Sequence, residues 1–262
     1  MQAIARRGKA QATNLTQAKM NALNSMLINV RKRALWIAPI RRAHFRYNLQ
    51  KTPACCFLWI PKTAGTAVFE WLADEIGMLK MRDLRDFRAF PNTGAVTFGH
   101  VHYLSLRANR QVNDTYHNNS LRFTVVRNPY ERVVSLYGYV QKHRTYTSDF
   151  ATFLEQLELE RTPVGLYNVA GLSQGNPQLN WLTDTDGGLL PHHVFHQENL
   201  DEIEDVLPNL LGWTPRTRLG RKNVGKKTSI DELLAGNTKH LETINRIYRA
   251  DFKRLGYPMI PA

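Results

Sequence analysis

The chain has 262 residues with a hydrophobic fraction of 43%, enough for one sizeable buried core or at most two small ones. This composition excludes an intrinsically disordered protein. The formal net charge of +13 favours anionic partners, which include nucleic acid, a membrane surface, a polyanionic glycan and a multiply phosphorylated cofactor.

The N-terminal segment and the cysteines favour a soluble protein of a reducing compartment. The opening MQAIARRGKAQATN has no apolar core behind it, and no stretch of the chain reaches the roughly 18 apolar residues of a transmembrane helix. Cys55 and Cys56 are adjacent in an apolar run, where neighbouring cysteines rarely pair, so we expect buried free thiols. We therefore expect a cytoplasmic, prokaryotic protein, although the excised catalytic domain of a tethered Golgi-lumen enzyme would look similar.

Residues 1–50 form a basic arm without acidic residues, and residues 51–262 form the main domain. Apolar residues of the arm recur at loosely helical spacing among arginines over residues 20–47. We favour a helix that packs on the domain and leaves its arginines in solvent. The alternative is an arm that binds a membrane surface or a polyanion.

From residue 54 the pattern alternates between strands and helices. The predicted elements are a buried strand at 55–60, a helix at 66–78, a short strand at 95–99, a second buried strand at 121–127, a helix from Pro129, a helix at 148–160 capped by Ser148, a strand at 192–200 that leads into an acidic helix, and one amphipathic helix at 238–258. This order predicts a three-layer α/β fold with a central, mostly parallel sheet and helices on both faces.

The segment WIPKTAGT, residues 59–66, connects the first strand to the first helix of the domain. At such a turn the first helix amides are unpaired donors that favour an anion. Gly65 permits close backbone approach, Thr63 and Thr66 offer hydroxyl groups, and Lys62 adds a full charge. The segment therefore predicts a P-loop-like anion site. It differs from the loop of nucleoside triphosphatases, in which lysine follows the second glycine.

A second group of residues follows the second buried strand. Arg127 ends that strand, and Ser135 lies eight residues on in the next helix. The planar guanidinium of arginine bonds phosphate in two places, so the pair predicts a second anion site. The alternative is an arginine paired with a carboxylate and a serine that is merely a small helix residue. Two anion sites at neighbouring strand ends predict a ligand phosphorylated at two separated points.

These two segments resemble a known family. IPKTAGT, residues 60–66, resembles the phosphosulfate loop of sulfotransferases that use 3′-phosphoadenosine 5′-phosphosulfate (PAPS). VVRNPYERVVSLY, residues 125–137, is similar to their 3′-phosphate motif. Weaker similarity lies in HVFHQENLDE, RKNVGKKTS and YRADFKRLGY, so the resemblance spans residues 54–257. The carbohydrate branch related to heparan sulfate 2-O-sulfotransferase, with its bacterial relatives, is the most similar.

The resemblance implies specific roles for the matching positions. The 5′-phosphosulfate would be held by Lys62, Thr63, Gly65 and Thr66 together with the amides of Ala64 and Ala67, the 3′-phosphate by Arg127 and Ser135, and the nucleotide would be covered by the loop at 223–227, with Asn223 and Lys226. Ala67 stands where many members have serine or threonine, which removes a hydroxyl contact but keeps the amide.

Sulfuryl transfer also needs a group that takes the proton of the acceptor hydroxyl. TFGHVHYL, residues 97–104, places His100 and His102 at the end of a short strand, where we expect them to share one face. The resemblance favours His100, because a Gly-His context is similar in the family. A carboxylate, Asp83 or Asp86, is the alternative base. Lys62 is suited to neutralise the leaving phosphate, and the mechanism requires no metal.

We therefore expect an enzyme that transfers a sulfuryl group from PAPS to a hydroxyl of a glycan or another small molecule, with 3′-phosphoadenosine 5′-phosphate (PAP) as the product. Nucleic acid is not an expected partner. The alternatives are a P-loop-like, magnesium-dependent phosphotransferase of the kinase type and a non-enzymatic polyanion-binding protein.

Overall fold

A parallel sheet forms the centre of the protein in a computed structural model, which describes residues 38–142, 148–160, 172–220 and 230–261. In these ranges the strands are β1 (Cys55–Leu58), β2 (Leu79–Lys80), β3 (Ala95–Thr97), β4 (Leu121–Val126) and β5 (His193–His196). Their order across the sheet is β2-β3-β1-β4-β5, and every pairing is parallel.

Helices cover both faces of this sheet. In the described ranges they are α1 (Ala38–Leu49), α2 (Gly65–Ile76), α3 (Leu84–Ala89), α4 (Tyr103–Ala108), α5 (Asp114–Asn119), α6 (Pro129–Lys142), α7 (Phe150–Glu160), α8 (Leu179–Leu182), α9 (Asp201–Leu211), α10 (Ile230–Leu234), α11 (Thr238–Ile247) and α12 (Arg249–Arg254), with 3-10 turns at Leu172–Gly175 and Gln197–Asn199. The predicted α/β fold with a parallel sheet between helices is confirmed.

The two faces of β1 bury different cores, because successive side chains of a strand point to opposite faces. Phe57 shares one core with Val68 of α2 and Ile203 of α9. Leu58 shares the other core with Tyr103 of α4. A further core joins α6, α7, α11 and α12 beside the sheet. β1 is therefore buried on both sides, which explains its continuous apolar sequence.

Both cysteines of β1 are buried free thiols, as predicted. Burial raises the pKa of Cys56 to about 12 and raises that of Cys55 further. Neither thiol is therefore a reactive thiolate at neutral pH.

The end of the basic arm packs on the domain. Leu49 of α1 is fully buried. Arg41 forms an ion pair with Asp86 at 3.1 Å, and Arg42 donates to the carbonyl oxygen of Arg88 at 3.0 Å. Residues 1–37 lie outside the described part of the chain. Within that part, no helix is both long enough and apolar enough to cross a membrane.

Several predicted boundaries were wrong in informative ways. The tail forms two helices, because the helix breaks at Tyr248 between α11 and α12. The carboxylate of Asp149 accepts the amide of Thr152 at 2.9 Å at the start of α7, so Asp149 rather than Ser148 is the cap. The short strand β2 was not predicted, since two residues carry no readable periodicity.

Candidate active site

The candidate site lies at the carboxyl ends of β1 and β4, which are neighbours in the sheet. The chain leaves β1 toward β2 and β3 on one side, and leaves β4 toward β5 on the other. Ligands of open α/β sheets bind at such a point, because the diverging connections leave a crevice between them. This topology brings the two predicted anion sites together.

The loop from Trp59 to Thr66 has an unusual backbone. Lys62 and Ala64 both adopt the left-handed conformation, with φ of 70° and 61°. Non-glycine residues rarely adopt it, and such strain is concentrated at functional sites. Thr63 between them is fully buried, and its hydroxyl donates to the carbonyl oxygen of Ile60 at 3.0 Å. The Thr63 hydroxyl therefore holds the loop together.

The start of α2 presents the donors that an anion requires. The amides of Gly65 and Thr66 are the first two of the helix and have no acceptor within it. The amide of Ala67 differs, since it donates to the carbonyl oxygen of Ala64 at 3.0 Å. The amides of Gly65 and Thr66 are therefore available to bind an anion, as their predicted roles require. The amide of Ala67 is already used in a hydrogen bond within the protein.

Gly65 is needed where it lies because the indole of Trp59 covers it. A Cβ added at Gly65 would meet the Nε1 atom of Trp59 at 2.0 Å, far inside van der Waals contact. The Trp59 ring also lies 4.2 Å below the ammonium group of Lys80 and stacks on Phe69. The absence of a side chain at Gly65 therefore allows the indole of Trp59 to pack directly on the loop.

Lys62 lies in a cationic environment. Burial, followed by the charges of Arg127, Arg132 and Lys142, lowers its pKa to about 8. Its ammonium group lies 4.3 Å from the ring centre of Tyr139 on α6, a cation–π contact. An anion at this point would relieve the repulsion among the cations and favour the charged lysine.

Arg127 follows β4 and contacts the loop directly. Its Nη1 donates to the carbonyl oxygen of Lys62 at 3.4 Å. Its Nη2 donates to the carboxylate of Glu131 at 2.9 Å. The carboxylate pairing that we left open as an alternative is therefore present, and it also holds the guanidinium at the loop.

Ser135 occupies the same face of α6 as two residues that contact the site. Glu131 lies one turn before it and Tyr139 one turn after it, at the four-residue spacing that aligns side chains on a helix. Ser135 is half-buried. The predicted role of Ser135 therefore stays a prediction, supported by the helix face that it shares with Glu131 and Tyr139.

His100 lies in the turn after β3 and faces the loop. Its Nδ1 is 2.9 Å from the carbonyl oxygen of Trp59, and its ring packs edge-to-face on the Trp59 indole. A carbonyl oxygen only accepts, so Nδ1 carries the proton and Nε2 has the lone pair. Burial is the largest effect and lowers the pKa of His100 to about 4; the hydrogen bond to the Trp59 carbonyl opposes it, and the charges of Lys80, Arg132 and Lys62 lower the pKa by smaller amounts. His100 is therefore neutral at physiological pH, as a proton acceptor must be.

His102 and the two alternative carboxylates have structural partners. The expected shared strand face was wrong, because β3 ends at Thr97 and His102 immediately precedes α4, with its Nδ1 3.2 Å from the Ser105 hydroxyl. Asp83 caps α3 by accepting two backbone amides. Asp86 is buried, accepts the amide of Arg82 and pairs with Arg41 of α1. His100 is the one of these four residues that contacts the loop.

Sequence reasoning missed three residues that support the site. Lys80, at the end of β2, lies over Trp59 and lowers the pKa of His100. Arg132 is almost fully buried and donates to the carbonyl oxygen of Pro61 at 3.0 Å. Gln178 is fully buried and bonds both backbone groups of Arg127. Only Arg132 had a signal, since it lies within the second motif three residues before Ser135.

Two predicted cofactor residues, Asn223 and Lys226, lie outside the described residues. In the described ranges, no group of three or more histidine, cysteine, aspartate or glutamate residues is arranged to hold a metal ion.

Comparison with known proteins points to one family. The model of the sulfotransferase family matches residues 46–165, which contain the loop, His100, Arg127 and Ser135. The match supports a sulfotransferase, that is, an enzyme that transfers sulfuryl groups. It does not single out the heparan sulfate 2-O branch, which stays a prediction.

Two further comparisons are less informative. Curated protein sequences gave no significant match. Among solved structures, a sulfotransferase from Alicyclobacillus acidocaldarius is similar to this chain, with a TM-score of 0.44 and 16% identity over 77% of this chain and 99% of that one.

Proposed function

We propose that the protein transfers a sulfuryl group from PAPS to an acceptor hydroxyl, with a carbohydrate as the expected acceptor. One observation carries the proposal: the Lys62 loop and Arg127 lie on neighbouring strand ends and are joined by the 3.4 Å hydrogen bond from Arg127 to Lys62. A ligand with anionic groups at two separated points fits this pair. The nucleotide PAPS has a 5′-phosphosulfate and a 3′-phosphate.

In this proposal each anionic end has its own donors. The free amides of Gly65 and Thr66 and the ammonium group of Lys62 hold the 5′-phosphosulfate, at the positive end of the α2 dipole. The guanidinium of Arg127 and the hydroxyl of Ser135 hold the 3′-phosphate. Glu131 must then share Arg127 with the phosphate, which makes the affinity sensitive to that carboxylate.

The proposed chemical step uses the same residues. The acceptor oxygen forms a bond to sulfur while the bond from sulfur to the 5′-phosphate oxygen breaks, in line with it. Nε2 of His100 takes the hydroxyl proton, and Lys62 stabilises the negative charge that grows on the leaving phosphate. PAP leaves as the product.

Nucleotide binding tests the proposal without knowledge of the acceptor. Isothermal titration calorimetry should detect tight binding of PAP, weaker binding of adenosine 5′-monophosphate (AMP), and no gain for ATP when magnesium is added. Magnesium-dependent hydrolysis of ATP, without any affinity for PAP, would instead favour the kinase-type phosphotransferase.

A further inference from the structure

A buried glutamine holds the backbone of Arg127 from behind. The Oε1 atom of Gln178 accepts the amide of Arg127 at 2.9 Å, and its Nε2 donates to the carbonyl oxygen of Arg127 at 2.8 Å. Gln178 is fully buried, so water does not compete for either bond. The main chain of Arg127 is therefore fixed at both of its polar groups by a single side chain.

Gln178 is itself held by a buried carboxylate from the far end of the chain. The two oxygens of Asp251 in α12 accept the amides of Gln178 and Leu179, at 2.7 and 3.0 Å. Asp251 is fully buried. A buried carboxylate that accepts two amides fixes the start of α8, and with it the direction of the Gln178 side chain.

The same short segment, residues 174–178, also supports the Lys62 loop. The guanidinium of Arg132 donates to the carbonyl oxygens of Gln174 and Asn176, at 2.6 and 3.0 Å. Its Nε donates to the carbonyl oxygen of Pro61, immediately before Lys62. All three acceptors are backbone carbonyls, so the buried guanidinium of Arg132 links the backbone of the Lys62 loop to the backbone of the 174–178 segment.

We propose that the 174–178 segment sets the separation between the two anion sites, and that Gln178 is a positioning residue for Arg127. Since it orients the arginine assigned to the 3′-phosphate, Gln178 determines the preference of the site for a nucleotide that carries this group. This inference rests on the proposed function, because it assigns the 3′-phosphate to Arg127.

The experiment compares the dissociation constants of PAP and AMP, which differ only in the 3′-phosphate. Gln178→Met keeps the length of the side chain but removes both hydrogen bonds to Arg127. We expect it to lower the ratio of PAP to AMP affinity about tenfold, as loss of an aligned, charge-assisted contact does. Asp251→Asn, which can accept only one of the two amides well, should lower the same ratio.

The control separates positioning from stability. Leu207→Ala removes a fully buried side chain of α9, on the other face of the sheet. It should lower the melting temperature while leaving the PAP to AMP ratio unchanged, since both nucleotides need the folded protein equally. The melting temperature of each variant shows whether it is folded at the titration temperature. If Gln178→Met is unfolded at that temperature, Asp251→Asn is used in its place.

The outcomes distinguish this inference from the proposed function. A wild-type preference for PAP that both the Gln178 and the Asp251 variants retain would overturn the positioning role alone. An equal loss of preference in Leu207→Ala would also overturn it, because the effect would then follow stability. A wild-type protein that binds PAP no better than AMP would overturn the proposed function together with this inference.

Discussion

The guanidinium of Arg127 donates to the backbone carbonyl of Lys62 at 3.4 Å, although the two residues are 65 positions apart in the chain. The contact joins the end of β4 to the loop after β1. Since β1 and β4 are adjacent parallel strands, it makes one site out of two sequence motifs. In the proposed function the two anion sites are therefore the two ends of one nucleotide-binding site.

Replacing Lys62 with alanine should reduce sulfuryl transfer by about 10²- to 10³-fold, as does removal of a charge-stabilising donor in other enzymes. The loss should appear mainly in kcat, since the charge on the leaving phosphate grows only in the transition state. Steady-state kinetics with labelled PAPS measure the effect. Lys142→Ala is the matched control, because this exposed lysine contributes to the same field. An equal loss in both variants would show that only net charge matters.

Replacing Arg127 with alanine should raise the dissociation constant of PAP roughly ten- to hundredfold, because a hydrogen-bonded charge pair is lost. The binding of AMP should be weakened much less, since AMP lacks the 3′-phosphate. Calorimetry of the two nucleotides gives both constants. Arg249→Ala removes an exposed arginine of α12 and controls for the change in net charge. If AMP weakened as much as PAP, Arg127 would not bind the 3′-phosphate.

Gly65→Ala should lower the free energy of unfolding by about 1–3 kcal/mol, as expected for a side chain forced into packed space. The reason is the 2.0 Å approach of the added Cβ to the Trp59 indole. The Gly65→Ala substitution should also weaken the binding of PAP, because the displaced indole lies between the loop and His100. Gly220→Ala, where no atom of the described residues lies within 4 Å of the added Cβ apart from its chain neighbours, should change neither quantity. Chemical denaturation and calorimetry together check both effects.

At saturating PAPS, where ionisation of the free nucleotide does not contribute, kcat should be flat between about pH 4 and 8. Below this range His100 gains a proton, so it cannot accept one from the acceptor; above it, Lys62 loses its charge. Lys62→Arg should move the alkaline limb to higher pH, since a guanidinium stays protonated. An acidic limb centred near 6.5, the ordinary value of histidine, would contradict a buried, neutral His100.

The parts of this fold that sequence predicted are those that local pattern determines. β1 and β4 were evident because a strand buried on both faces needs a continuous apolar run. The candidate site was predicted as two motifs, because Lys62 and Arg127 each follow such a strand. The break of the tail at Tyr248 was not evident, since the apolar spacing continues on both sides of it.

The supporting residues could not be predicted because their partners are distant in the chain. The side chain of Gln178 is hydrogen-bonded to Arg127, which is 51 positions away in the chain. The backbone amide of Gln178 is hydrogen-bonded to Asp251, which is 73 positions away. Each residue type is ordinary for an exposed position, and only the tertiary structure shows that these are buried. The roles of His100 and His102 diverged for a similar reason: the turn at Gly99, with φ of 59°, ends the strand before either histidine.

Transfer of radiolabelled sulfate from PAPS to a panel of hydroxyl acceptors, led by glycans, tests the central claim most directly. The account predicts a labelled product with wild-type protein, without added metal, and its near-complete loss in Lys62→Ala and in His100→Ala. Equal labelling by wild type and Lys62→Ala, or tight binding of ATP with magnesium and none of PAP, would contradict it.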